Sequence, residues 1–125
     1  MNTKSENYLN ECRAALSSEQ THSLAITANW AHVDKQKVHA DWDELYREMV
    51  PVIGVLLPSA EPVQALIAEH YRIVSRFYKP SKKAYIGMSL FYGEDQDMMK
   101  FHNGYHRNMV PFLAQAISIY AEANL

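Results

Sequence analysis

The chain has 125 residues, 48% of them apolar and 21% charged, with a formal net charge of −2. That length suits one domain with a core of its own, and the balance is that of a globular chain rather than a disordered tail. No overall basic field exists to draw in nucleic acid, and the single cysteine, Cys12, excludes an intrachain disulfide. A polar start from Met1 to Asn10 is not a secretory signal. The most apolar stretch, Met49 to Leu57, is too short to span a bilayer and contains Pro51. A reducing, cytoplasmic setting without membrane contact is therefore expected.

Helical spacing of apolar residues recurs from end to end, and no window alternates as a strand would. The absence of linkers and repeats predicts a single domain over residues 1–125. Tyr8, Leu9, Cys12 and Leu16 mark a short helix that Ser17-Ser18 is expected to end. A second is expected from about Glu19 to Trp30, with Leu24 and Ala28 on one thin stripe and Ile26 and Trp30 on another. Such thin faces predict weak anchoring, so residues 1–33 are expected to be mobile. From Asp34 the signal strengthens: Val38, Trp42, Leu45, Met49, Ile53 and Leu56 step by three and four, with Pro51 set to kink or end the helix. The turn Pro58-Ser59-Ala60-Glu61-Pro62 follows, with Ser59 or Glu61 as the start residue of the next helix.

That next helix is expected to carry Val63, Leu66, Ile67, His70, Ile73, Val74, Phe77 and Tyr78 on one broad face until Pro80 stops it. Ser81 then caps a helix with Tyr85, Met88, Phe91 and Tyr92 on one face and Ile86 and Leu90 on the other. A helix apolar nearly all round is central or faces a ligand on one side. Gly93 is expected to end it, Asp95 to cap a short helix through His102, and Gly104 to end that. Asn108 is placed to cap the last helix, whose stripe is Val110, Leu113, Ile117 and Tyr120. The fold class is all-α, a compact bundle of about six helices.

Tests for chemistry return little. His102 and His106 stand four apart, a spacing that presents two imidazoles to one metal on a helix, but Gly104 between them breaks the helix. His39 and Asp43 share that spacing and read as a surface pair. Cys12 has no partner in view, no Gly-x-Ser-x-Gly turn is present, and the four glycines are too scattered for a phosphate loop. Glu94-Asp95-x-Asp97 fits a helix start, where acids complement the dipole. The short basic cluster Lys79, Lys82 and Lys83 reads as a solvated face. No enzyme, metal or cofactor is expected.

The aromatic residues carry the real ambiguity. The chain has eight tyrosines, and a stripe of Tyr78, Tyr85, Met88 and Tyr92 at helical spacing is more often core than cleft wall, although tyrosines cost more to bury than Phe. Each buried hydroxyl needs a partner, and His70, placed between Ile67 and Val74 on the apolar face, is either a satisfied core histidine or the polar anchor of a cleft.

From Asp41 to about Ala121 the chain resembles the TipAS antibiotic-recognition domain family. The resemblance rests on Asp41-Trp42, then Pro62-Val63-Gln64-Ala65-Leu66 with His70, then Phe77-Tyr78, Tyr92-x-x-Asp95 and Phe101. Phe112-Leu113-x-x-Ala116-Ile117-x-x-Tyr120 completes it. It implies a globin-like helical fold without haem and a deep cleft for large peptide-like drugs such as thiopeptides, or for the aromatic oligoamide albicidin. It also implies an N-terminal segment that folds over the ligand, which would make residues 1–33 a lid. Where the family's thiopeptide receptor has a reactive cysteine, this chain reads Tyr78-Lys79-Pro80-Ser81, so covalent capture is not implied. Where the family commonly has Pro-Gly before the last helix, it reads Arg107-Asn108, and Asn tolerates a positive φ there.

The expected function is non-enzymatic binding that sequesters or senses a bulky, apolar, peptide-like or polyaromatic antibiotic. Tyr78, Tyr85, Met88, Tyr92, Phe101 and Tyr105 are the expected walls and His70 the anchor. Two alternatives stand beside it: the effector module of a MerR-type transcriptional regulator, and an interaction module whose aromatic groove takes a partner helix. A stand-alone binder is the favoured arrangement, with no direct nucleic-acid contact.

Overall fold

Ser5 opens the first helix by accepting the Tyr8 amide on its side chain, and α1 then runs Glu6–Ile26. The computed structural model describes residues 5–125, and among them every regular element is helical. The expected break at Ser17-Ser18 is absent. Both serines face solvent, where their modest helix propensity is tolerated, while Cys12, Leu16 and Ser23 bury one side of a single helix. The helical reading through Trp30 also needs correction, because Ala28, Asn29 and Trp30 take left-handed φ values of 51°, 60° and 62°.

Asp34 caps α2 (Lys35–Met49) by accepting the Lys37 amide at 3.1 Å, and Pro51 sits in the 3₁₀ turn Val50–Val52 that ends it. The third helix, α3 (Glu61–Val74), starts after Ala60, which offers no side-chain cap; neither Ser59 nor Glu61 is its N-cap. Pro62 in the first turn presets φ and gives up only an amide that had no helical partner. Instead of running on to Pro80, α3 stops at Val74. The Ser75 hydroxyl bonds back to the Tyr71 carbonyl, and Phe77 and Tyr78 belong to the following turn and loop.

Ser81 caps α4 (Lys82–Glu94), and Asp95 caps α5 (Gln96–Asn103), each accepting the amide three residues on. The fourth helix ends one residue beyond Gly93, and Phe91 is exposed rather than sharing the buried face of Tyr85, Met88 and Tyr92. Asn108 is the N-cap of α6 (Met109–Asn124) by position, but its side chain makes no capping bond; the Asn103 side chain accepts the Val110 amide instead. With φ at −106°, Asn108 needs no left-handed turn. Val110, Leu113 and Ile117 are buried as expected, and Tyr120 is half-buried.

In the middle stands α4, packed on α1, α5 and α6, while α2 packs on α3 and α3 on α6. The α1–α4 contact is the most extensive, and a thin apolar stripe does not explain it. Gly87 lets the helix backbones meet: a Cβ there would overlap the Cys12 carbonyl. Polar ties flank this crossing. Arg13 grips the Glu94 carboxylate through Nε and Nη2, Lys83 pairs with Glu11 at 2.6 Å, and Glu19 accepts both the amide and hydroxyl of Ser81. Described residues 5–26 of the expected lid are thus part of the bundle, and residues 1–4 lie outside the described residues.

Candidate functional site

The aromatic residues converge where α2, α3, α4 and α5 meet. Four side chains there, Tyr46, His70, Tyr85 and His102, form a buried chain of hydrogen bonds. Its direction follows from one end. His102 Nδ1 lies 2.7 Å from the Met98 carbonyl, which only accepts, so the proton sits on Nδ1. Nε2 of the neutral ring is then bare and takes the Tyr46 hydroxyl proton across 3.0 Å. The Tyr46 oxygen, its one proton committed, accepts from His70 Nε2 at 3.2 Å, and the Tyr85 hydroxyl donates to His70 Nδ1 at 2.8 Å. Tyr92 stacks on His102 with ring centroids 4.0 Å apart, its hydroxyl 3.5 Å from His70 Nε2.

Burial sets the protonation. It lowers the His70 pKa to about 3, with the neighbouring His102 adding to the shift, and it lowers His102 as well. The Tyr46 and Tyr85 hydroxyls are pushed well above the usual phenol range by the same desolvation. Every member of the chain is neutral at pH 7, and each bond joins a donor to an acceptor, which removes the penalty of burying polar groups.

Outward from Tyr46 the cluster reaches the surface. Tyr46 meets Phe101 and Tyr105 at ring-centroid distances of 6.5 and 5.3 Å, and Phe101 is 50% exposed. These two rings line a hollow of about 570 Å³ together with Asp43, Arg47, Val50 and Gly104. The Tyr105 hydroxyl donates to Asp43 Oδ1 at 2.7 Å, and Arg47 Nε donates to Asp43 Oδ2 at 2.8 Å. Those two bonds, Arg47 first, hold the Asp43 carboxyl below its usual range; burial and then Asp43 push the Tyr105 phenol up to about 12.

The expected wall residues divide accordingly. His70, Tyr85, Met88 and Tyr92 lie in the interior, Phe101 and Tyr105 at the hollow, and Tyr78 in the loop between α3 and α4. The Tyr78 hydroxyl and the Trp42 indole nitrogen are the buried side-chain polar atoms without a partner among the described residues. Phe77 stacks on Trp42 at 5.8 Å and meets Trp30 edge-on at 4.9 Å. Tyr46 and Arg47 are not singled out by the sequence reading, and Asp43 enters it only as a surface partner for His39, although Tyr46 follows Trp42 by four and Arg47 follows Asp43 by four. His39 does not pair with Asp43 and instead meets the Trp42 ring. Both nitrogens of His102 are taken, and His106 accepts the Asn108 amide on Nδ1. Among the described residues no three His, Cys, Asp or Glu side chains gather as a metal site, and no helix is long and apolar enough to cross a membrane.

With that geometry in hand, the comparison with protein families is decisive: the TipAS antibiotic-recognition domain matches residues 6–120. The chain belongs to the TipAS family. The match begins with the first residue of α1 and ends inside α6, so the resemblance first visible from Asp41 extends over the N-terminal helix too. Comparisons with curated proteins and with solved structures return no significant match. The TipAS domain is a ligand-recognition module, and in this chain its interior is the aromatic and histidine cluster around Tyr46 and His70.

Proposed function

We propose that this TipAS domain binds a bulky, apolar, peptide-like or polyaromatic antibiotic without altering it, and so sequesters or senses the drug. The observation that carries this reading is that the aromatic cluster is open at one end. It runs from the sealed Tyr85–His70–Tyr46 chain out to Phe101 and Tyr105, at a hollow whose size lies within the roughly 300–1,000 Å³ range of small-molecule sites. A half-exposed Phe and a Tyr offer flat apolar area at small entropic cost, which suits aromatic guests. His70 supports the site from within by fixing the Tyr46 hydroxyl, on whose ring Tyr105 rests.

The reading of simple binding rests on how the reactive groups are used. His70 and His102 are held neutral and bonded through both nitrogens, and Cys12 is buried between α1 and α4. The test is thermal unfolding against a panel of thiopeptides and albicidin-type oligoamides, followed by mass analysis of any compound that stabilises the protein. A dose-dependent rise in Tm with the compound recovered intact is expected. Recovery of a cleaved or modified compound with pure protein, or no stabilisation across the panel, counts against the reading.

A further inference from the structure

The hollow beside Tyr46 is chemically asymmetric, and the asymmetry selects among aromatic guests. One side is ring surface, from Phe101 and Tyr105, with the aliphatic Val50. The other is the Asp43–Arg47 pair on successive turns of α2. The carboxylate of that pair has both oxygens engaged, Oδ1 by the Tyr105 hydroxyl and Oδ2 by Arg47 Nε. The guanidinium is engaged through Nε alone, and its terminal nitrogens have no hydrogen-bond partner among the described residues. Asp43 therefore fixes the plane of Arg47 while leaving the forked end that matches a carboxylate in two parallel bonds.

We infer that this hollow recognises the acid end of its guest: Arg47 takes a carboxylate while Phe101 and Tyr105 hold the attached aromatic or apolar body. The inference rests on the proposed binding function and adds the class of ligand, an aromatic or peptide-like acid rather than an amine or a neutral amide. A cationic guest finds Asp43 already matched by Arg47 and bonded by Tyr105. A neutral amide gains the ring contacts but not the charge-assisted pair. Because Arg47 is largely exposed, the pair is screened by salt, and the preference belongs to low ionic strength.

The experiment uses three probes of one shape: biphenyl-4-carboxylate, biphenyl-4-carboxamide and biphenyl-4-methylamine. Affinities are measured by NMR titration of the whole chain at low and high salt, on wild type, Arg47→Gln and Arg47→Lys. The carboxylate is expected to bind about tenfold more tightly than the amide or the amine at low salt, shifting Val50, Phe101 and Tyr105. In Arg47→Gln that preference of acid over amide should shrink to about twofold or less; Arg47→Lys, which keeps the charge but not the fork, should fall between. Equal binding of acid and amide by wild type, or an undiminished preference in Arg47→Gln, overturns the inference while leaving an aromatic site standing. Shifts confined to other parts of the chain, or no binding by any probe, overturn the inference. If the antibiotic panel also gives no stabilisation, the binding function falls with it.

Discussion

Gly87 of α4 lies directly on the backbone carbonyl of Cys12 in α1, close enough that no other residue's Cβ fits between them. The contact is between backbones, so no rotamer change relieves an added methyl, and the helices must separate. Gly87→Ala should destabilise the protein by about 2–3 kcal/mol, the upper part of the range for overpacking. Urea unfolding measures this directly. An unchanged midpoint would mean that α1 does not pack there in solution.

The two buried histidines make stability depend on pH in a definite direction. The folded His70 pKa of about 3 lies below the ordinary value of 6.5, so between those values the unfolded chain binds the extra proton. The stability that the neutral ring supplies is complete above pH 6.5 and is lost as pH falls toward 3. At about 1.36 kcal/mol per unit, lowering the pH from 7 to 5 should cost about 2 kcal/mol from His70, and His102 adds to the loss. Asp41 and Asp43, whose carboxyls are held low by Arg76 with Lys37 and by Arg47 with Tyr105, contribute only below about pH 4, so pH 5 isolates the histidines. Urea unfolding at both pH values tests the loss. Imidazole nitrogen shifts should show Nδ1–H on His102 and Nε2–H on His70. A His70 ring that titrates near pH 6.5 in the folded protein would refute the buried chain.

Beyond α1 the backbone carries three non-glycine residues in succession at positive φ, which costs about 1–2 kcal/mol per ordinary residue and less for Asn. Trp30 compensates by donating its indole N–H to the Ser23 hydroxyl at 2.9 Å and by meeting Phe77 edge-on. Ala28 is exposed and has no such compensation. Ala28→Gly should therefore stabilise the protein by about 0.5–1 kcal/mol, because relief of strain exceeds the added chain entropy. A loss of stability measured by denaturant would show that the turn is not left-handed at Ala28. Within the segment expected to be mobile, residues 27–33 lie outside any helix, and their amides should exchange faster than those of α1.

The sequence made the helices legible wherever a side chain alone decides the local backbone. Ser81 and Asp95 cap helices at the expected places, the helix expected from Asp34 starts there, and Pro51 ends it. Errors occurred where tertiary contact decides. The α1 helix looked weak because its anchoring comes from a glycine on another helix and from Arg13, Glu11 and Glu19 reaching across to α4, none of which appears in apolar periodicity. His70 was visible as a polar residue on an apolar face, yet its partners Tyr46 and Tyr85 lie 24 and 15 residues away. His102 was legible only as a neighbour of His106, because the bond that fixes its tautomer is to its own helix backbone. At the hollow, Asp43 reads from sequence as a partner for His39, because the Tyr105 hydroxyl that shares its carboxylate with Arg47 lies 62 residues away.

The division of the aromatic residues into interior and rim predicts opposite responses to truncation. Tyr92 is 4% exposed and stacked on His102, so Tyr92→Ala empties a well-packed site and should cost about 3–5 kcal/mol of stability. Phe101 already has half its surface in water, and Phe101→Ala should cost under about 1.5 kcal/mol. Binding should sort the other way. A guest at about one hundred times its dissociation constant stabilises the protein that binds it by about 2.7 kcal/mol. Phe101→Ala and Tyr105→Ala should lose most of that increment, because their rings form the wall the guest touches. Tyr92→Phe, which keeps the ring and removes only the hydroxyl, should retain it. The measurement is unfolding of each variant with and without a stabilising compound from the antibiotic panel. If Phe101→Ala keeps the full increment while Tyr92→Phe loses it, the guest enters the interior cluster, and the protein must open between α2 and α4 to admit it.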